Sequence, residues 1–313
     1  MGKINLILHL RSGDSTSAFR YFVNYLRTKV KFIEIRTVKE MSMIDDEEIN
    51  TIFIPYNFGL LDNIIEKAKF IQKHTEAKIV RFLNEYNLCE NGSLQKIFQE
   101  RPVDLLITNY EREKTKRYYK NRLMLNCNCL SYFDFNTDFS MIKKYDIPLY
   151  YGTFRLGRLN YLRKYIHDND YIFLSISKKN LRKLKKYQIN AKKIIDKIKN
   201  IGYKNSTLVF FKHSLYIEDE FTHQNYNYPA NRFYECLSYD VVQFFDSSCK
   251  NTFDRYGLDV SKFMVNSKEE LKERCQKGNY LELLKGQRQW RDLVKRDFTE
   301  FEKIVEEKIL PYF

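Results

Sequence analysis

The sequence predicts an α/β chain of two domains, each a parallel sheet flanked by helices. Three observations carry that prediction. Short apolar runs of strand length alternate with longer stretches of helical spacing. The alternation starts afresh at Pro148. The chain's 313 residues, 43% of them apolar, suffice for two cores of roughly 150 residues each. Strands that alternate with helices imply βαβ units with right-handed crossovers, so both halves are expected to be Rossmann-like.

In the first half, Ile4 to Leu10 is a continuous apolar run. The polar loop Arg11 to Ser17 follows, and Ala18 to Leu26 has helical spacing. Val30 to Ile35 and Thr51 to Pro55 read as the second and third strands, and Leu60 to His74 as an amphipathic helix. Lys78 to Leu83 and Val103 to Thr108 complete the series.

The second half repeats the scheme. Pro148 to Tyr151 is a strand ending in Gly152-Thr153, and Leu159 to Ile166 a helix. Tyr171 to Ile176 is a strand, Lys179 to Tyr187 a basic helix, and Ala191 to Ile201 another helix. Thr207 to Phe211 reads as a buried strand, Asn231 to Ser238 as a helix, and Val241 to Phe245 as a strand. Ser267 with Glu270 forms a capping-box pattern opening a helix to Gln276. Asp292 to Ile309 is a long amphipathic helix that should cross back to the first domain. The expected domains are therefore 1–147 and 148–313, facing a central cleft.

Composition narrows the functional classes. Aromatic residues make up 16% of the chain, which argues against disorder. No apolar run reaches the roughly 18 residues of a membrane span, and Met1 to Leu10 lacks the features of a secretion signal. The six cysteines are dispersed, and Cys127-x-Cys129 has the wrong spacing for a common zinc site, so free thiols in a reducing cytoplasm are expected. Nucleotide motifs of the Walker A and Gly-x-Gly-x-x-Gly kinds, and the hydrolase motif Gly-x-Ser-x-Gly, are all missing. The net charge is +14. Residues 151–200 hold fourteen Lys or Arg against Asp168, Asp170 and Asp196, so +11 of that charge lies in one stretch. Such a field attracts nucleotides or nucleic acid.

Two stretches could carry chemistry. Tyr150-Tyr151-Gly152-Thr153-Phe154-Arg155-Leu156-Gly157-Arg158 follows a strand and opens a helix. Gly152 permits close approach of the backbone, and Arg155 and Arg158 can make charge-assisted bonds to phosphate. An ordinary βα turn with two solvated arginines is the plain alternative. In Asn231-Arg232-Phe233-Tyr234-Glu235, Arg232 and Glu235 lie three apart on one helix face. One could reach a phosphate and the other a ribose; the plain alternative is a surface ion pair.

In this order, some 75 residues apart, the two stretches resemble the donor-binding half of GT-B glycosyltransferases, and among them the phage DNA β-glucosyltransferases. Those enzymes carry a Tyr-Gly-Gly-Ser-Phe-Arg-like turn, and later an Arg-x-x-Glu helix before an apolar strand ending in Asp. Here Phe244-Phe245-Asp246 closes that strand, and Phe263 to Leu271 looks like a further region of the family. The resemblance covers residues 150–275 best and the N-terminal half weakly.

The resemblance implies an inverting sugar transfer from a UDP-sugar, UDP-glucose above all, to a 5-hydroxymethylpyrimidine in DNA. Gly152, Thr153, Arg155 and Arg158 would bind the donor diphosphate, although the family's second arginine sits one position later. Arg232 would contact phosphate or sugar, and Glu235 the ribose hydroxyls. The base would be Glu85, after the strand ending in Arg81-Phe82-Leu83. There the family has Asp, and Tyr86, Asn87 and Leu88 depart from its pattern. Glu90 and Asp14 are the other carboxylates placed for that role. No cofactor is required, and a loosely bound Mg or Mn ion at the diphosphate is compatible. The partners implied are a nucleotide sugar and double-stranded DNA with its modified base flipped out, with no membrane, and the protein itself is expected to be a cytoplasmic monomer. Acceptor contacts would come from Arg11 and Ser12 in the first loop, from Lys114, Lys116 and Arg117 around Tyr118 and Tyr119, and from Lys183 and Lys186. For Lys183 and Lys186 a solvated helix face is the competing reading. Two other functions fit the same residues: a GT-B transferase acting on a glycan or lipid-linked sugar, and a non-catalytic nucleotide-binding or nucleic-acid-binding protein.

Overall fold

The computed structural model describes residues 3–8, 17–54, 62–83, 103–108, 121–125, 136–152, 155–166, 171–175, 178–189, 194–195, 207–225 and 228–313. Contacts divide the chain into two units, Met1–Leu130 with Phe298–Phe313, and Ser131–Asp297.

The first unit is built on the strands β1 Ile4–Leu8, β2 Phe32–Ile35, β3 Ile49–Ile54, β4 Lys78–Leu83, β5 Leu105–Thr108 and β6 Arg122–Met124. Every pairing is parallel, in the order β2-β1-β3-β4-β5-β6. β5 is buried at all four positions, as expected of a parallel strand covered on both faces. Phe22, on the helix Ser17–Lys29, packs on Phe82 of β4 at 4.9 Å between centroids and edge-on against Phe53 and Phe301. Phe301 comes from the helix Trp290–Ile304. The chain then closes on this sheet: Phe313 lies against Phe32 and Phe53, and Asn50 Nδ2 donates to its carbonyl at 2.8 Å.

The second unit carries β7 Leu149–Tyr151, β8 Phe173–Ser175, β9 Ile194–Ile195, β10 His213–Tyr216, β11 Val242–Asp246 and β12 Met264–Val265. Their order is β12-β11-β10-β7-β8-β9, again all parallel. Read from β9, this is the doubly wound order 3-2-1-4-5-6. The direction of winding reverses between β7 and β10, and ligands of such sheets bind in the crevice at the carboxyl ends of those strands. β12 pairs only with the last two residues of β11. Lower down, Gln287 completes the ladder with its side-chain amide, accepting from Gln243 N at 2.9 Å and donating to Gln243 O at 2.7 Å.

Three expectations are corrected. Thr207–Phe210 is a 3-10 turn rather than a strand, and the strand is His213–Tyr216. A run of four apolar residues, Leu208 to Phe211, can pack from either geometry. Here Leu208 and Val209 turn into a cluster with Leu149, Tyr151 and Val241. Within the expected helix 191–201, Ile194 and Ile195 instead pair with Leu174 and Ser175 as an edge strand. The division between units also falls before Ser131 rather than at Pro148. The cause is a hub at Asp240, which is fully buried with a left-handed backbone (φ 52°). Its carboxylate accepts from Phe139 N at 2.7 Å, Arg288 Nε at 2.9 Å and Arg291 Nη2. Lys144 Nζ adds bonds to the carbonyls of Val209 and Tyr239, so the segment before β7 belongs to the second sheet.

Candidate functional site

The candidate site lies at the carboxyl ends of β7 and β10, on either side of the winding reversal. β7 ends at Tyr151, and the chain turns at Gly152 with φ 148°, which L side chains rarely adopt. A Cβ there would collide with Arg232 Nη1 and would stand 3.6 Å from Arg158 Nη1. The glycine therefore makes room for two guanidinium groups. The 3-10 turn Leu156–Arg158 and the helix Leu159–Ile166 follow. Gly157 serves the same packing, since its missing Cβ would stand 3.0 Å from Asp219 Cβ.

Arg232 is in the first turn of the helix Asn231–Ser238, every residue of which is buried. Tyr216 at the end of β10 holds the start of this helix twice. Its hydroxyl accepts from Ala230 N at 2.8 Å, and its ring lies 4.9 Å beneath the Arg232 guanidinium. Arg232 Nη1 donates to Tyr151 O at 3.2 Å, and Nη2 donates to Ile217 O at 2.7 Å and to Glu218 Oε1. Arg158 Nη2 donates to the other Glu218 oxygen. One buried carboxylate thus bridges both arginines. Burial works against the charge on Arg232, but Glu218 and the neighbouring tyrosines hold its pKa above the usual value.

Asp219 continues the acidic pair. Its carboxylate lies 3.5 Å from Arg158 Nε and 3.8 Å from Arg155 Nη1, and accepts from Thr222 N and Oγ1 at 2.9 and 2.8 Å. Burial opposes the charge on Asp219; the Thr222 bonds and the two guanidiniums outweigh it and lower its pKa. Arg155 is the open member, with its side chain 42% exposed against 6% for Arg158 and 9% for Arg232. Three arginines face two carboxylates here, a surplus of one positive charge.

Glu235 sits one helical turn beyond Arg232 and is buried, accepting from Tyr151 OH at 2.9 Å. Burial pushes its carboxyl up to about 7, although the Tyr151 bond and Arg232 pull the other way. Asp246, at the end of β11, is an anchor: it accepts from Tyr165 OH at 2.6 Å, Lys164 Nζ at 2.9 Å and Ser248 N at 3.0 Å.

The structure brings Gly152, Arg158, Arg232 and Glu235 together around Tyr151, with Arg155 beside them. Lys183 and Lys186 are exposed on the helix Lys178–Lys186. Thr153, Glu85, Arg11, Ser12, Lys114, Lys116 and Arg117 lie outside the described residues, as do Asp14 and Glu90. Sequence reasoning gave Tyr151 no role of its own and missed Tyr216, Glu218 and Asp219. The signal for the last two is the acidic run Glu218-Asp219-Glu220 directly after the apolar Leu215-Tyr216-Ile217, which placing the strand at Thr207 obscured. Among the described residues, no group of three His, Cys, Asp or Glu could hold a metal ion, and no helix is long and apolar enough to cross a membrane. Cys236, Cys249 and Cys275 are buried free thiols.

No protein-family model and no curated protein matches the sequence. Solved structures do match. A T4 phage β-glucosyltransferase structure concerned with substrate binding and a proposed catalytic mechanism aligns with a TM-score of 0.67 and 17% identity, over 97% of this chain and 98% of that one. A structure of the DNA-modifying enzyme β-glucosyltransferase, with and without uridine diphosphoglucose, gives 0.69 and 16% over the same shares. The T4 phage enzyme in complex with UDP and Mn²⁺ gives 0.64 and 16%, over 97% and 99%. At such identity the likeness is one of fold, and it spans both units. The chain has the α/β, GT-B-like fold of the T4 phage β-glucosyltransferase.

Proposed function

We propose that the protein is an inverting glycosyltransferase that moves a sugar, glucose from UDP-glucose, to the hydroxymethyl group of a 5-hydroxymethylpyrimidine in DNA. One observation carries the reading: Arg158 and Arg232 converge on Gly152, and Arg155 joins them through Asp219, at the winding reversal of a sheet whose fold is that of a UDP-glucose-binding, DNA-modifying enzyme. Arg155, with Arg158 and Arg232 behind it, offsets the negative charge that grows on the departing diphosphate. Glu235 receives the ribose. Glu85 takes the proton of the acceptor hydroxyl as the new bond to the anomeric carbon forms and the bond to the diphosphate oxygen breaks. A Mg or Mn ion would be held by the diphosphate itself. The chain acts as a monomer in the cytoplasm of a phage host. Its basic residues, Lys183 and Lys186 among them, hold the DNA backbone while the modified base is out of the stack.

The test is transfer of radiolabelled glucose from UDP-glucose to DNA bearing 5-hydroxymethylcytosine, 5-hydroxymethyluracil or neither, with Glu85→Gln as control. Label on modified DNA only, lost in the control, is the expected result. Release of UDP without label on any DNA would move the acceptor to a glycan or lipid-linked sugar. Neither label nor UDP release would overturn the enzymatic reading.

A further inference from the structure

We propose that Glu218 acts on the donor site through Arg158 and Arg232: it is their shared buried counterion, and its negative charge keeps the nucleoside diphosphate from being bound too tightly. This rests on the nucleotide-sugar reading above.

Glu218 is 1% exposed and lies two residues beyond β10, at the winding reversal. Its two oxygens are divided between the two arginines, Oε2 to Arg158 and Oε1 to Arg232. Among the described residues it is the carboxylate whose two oxygens are bonded one to each. Arg232 has a second acceptor on Nη2, the Ile217 carbonyl, and Tyr216 supports the guanidinium from below. Its orientation is therefore overdetermined, whereas its charge has one direct carboxylate partner, Glu218. Arg232 Nε is buried without a hydrogen-bond partner, a donor ready for an anion.

Placement and charge have separable consequences. A guanidinium pair with no counterion would attract a diphosphate more strongly, because Coulomb interactions in a site of low effective dielectric are several-fold larger than in water. A carboxylate already bonded to both groups competes with the phosphate oxygens for the same donors. A structural brace predicts the opposite: its loss loosens the arginines and weakens nucleotide binding. The sign of the change in affinity distinguishes the two.

The experiment is calorimetric titration of the full chain with UDP and with uridine, for wild type, Glu218→Gln and Glu218→Asp. Thermal unfolding of each is recorded first. Glu218→Gln preserves size and one acceptor oxygen but removes the charge. UDP should then bind about tenfold tighter, and uridine, which lacks phosphate, should bind as before. Glu218→Asp retains the charge and should bind UDP within about twofold of wild type. Steady-state kinetics of Glu218→Gln should show kcat and KM falling together, as slower product release requires. Unchanged or weaker UDP binding by Glu218→Gln, an equal change for uridine, or tighter binding by Glu218→Asp would each overturn the proposal. Loss of the folded state in both variants would make Glu218 purely structural and overturn it too. If wild type fails to bind UDP at all, the nucleotide reading itself falls and this inference with it. That outcome is distinct from wild-type binding that Glu218→Gln leaves unchanged.

Discussion

Replacing Gly152 by alanine should damage both the fold and the donor site, and the size of the damage follows from two terms. The first is conformational: φ at this position is 148°, which an L residue adopts at about 1–2 kcal/mol. The second is steric: the new methyl group falls on Arg232 Nη1. The guanidinium cannot simply swing away, because it is held by Tyr151 O, Ile217 O and Glu218 and lies over Tyr216. Breaking a buried ion pair costs about 3–5 kcal/mol in full, and partial relaxation of the loop reduces that. A total of about 2–5 kcal/mol is expected, or a fall in Tm of about 5–15 °C for a unit of this size. Gly257→Ala is the matched control. Gly257 also has a positive φ, 81°, but a Cβ there meets nothing within 4 Å, so only the conformational term of about 1 kcal/mol applies. Urea and thermal unfolding of both variants, with UDP titration, separate the terms. If Gly152→Ala is no less stable than Gly257→Ala and binds UDP like wild type, the argument that this glycine makes room for Arg232 is refuted.

Three further outcomes follow from the same coordinates. The Glu235 carboxyl, pushed by burial to about 7 in the folded protein against an ordinary 4.5, binds more protons folded than unfolded between those values, so its contribution to stability is complete below pH 4.5 and is lost as pH rises through 7. Glu235→Gln, whose amide oxygen still accepts from Tyr151, should remove that dependence and stabilise the protein above pH 7 by up to about 3 kcal/mol; unfolding curves from pH 5 to 8.5 that stay parallel to wild type would contradict it. Arg291→Ala should destabilise the second unit by about 2–4 kcal/mol, because it removes a partner of buried Asp240 and two bonds to Leu237 O; a loss below about 0.5 kcal/mol in urea unfolding would show that Arg288 suffices. Replacing Lys183 and Lys186 together by alanine should lower the slope of log K against log salt for duplex DNA by up to about 2, with thermal stability unchanged; an unaltered slope would take this helix off the DNA path.

Much of the architecture is legible in the sequence, for physical reasons that differ between elements. β4 and the helix Asn231–Ser238 are found at the bounds the sequence suggests, since the apolar residues of each are spaced for its own geometry. Ser267 caps its helix through Glu270 N as the pattern requires. The returning Glu270 carboxylate, however, takes Asn266 N rather than the N-cap's own N–H. β10 was not legible because the apolar run just before it, Thr207 to Phe211, reads as the strand, yet His213 and Ser214 are buried in a central strand. Burial lowers the pKa of the His213 ring to about 4, so it packs against Phe244 and Tyr280 as a neutral ring. Losing β10 from the reading also hid Glu218 and Asp219, which immediately follow it. The arginines were legible because Gly152 with Arg155 and Arg158, followed by the Arg232-x-x-Glu235 helix, together match a family pattern; their counterions were not, since acidic residues in a loop are ordinary.

The spacing of Arg232 and Glu235 shows how structure changes the meaning of a sequence pattern. On an exposed helix, an i,i+3 pair is a surface salt bridge worth at most about 1 kcal/mol. Here the whole helix is buried, and the two side chains share the end of β7, Arg232 through the Tyr151 carbonyl and Glu235 through the Tyr151 hydroxyl, while Arg232 also reaches the carbonyl just past β10. Desolvating a guanidinium costs several kcal/mol, and replacing a buried ion pair by apolar side chains of similar volume is often neutral or stabilising. Stability is therefore a weak reason to gather Arg158, Arg232 and Glu218 beneath one glycine. An anion that arrives from solvent is a better one, because buried guanidiniums already oriented by Tyr216 and Glu218 lose little conformational entropy when it binds. Among the described charged groups at this turn, Arg155 is the most exposed, which makes it the first contact for such an anion and the buried pair the second.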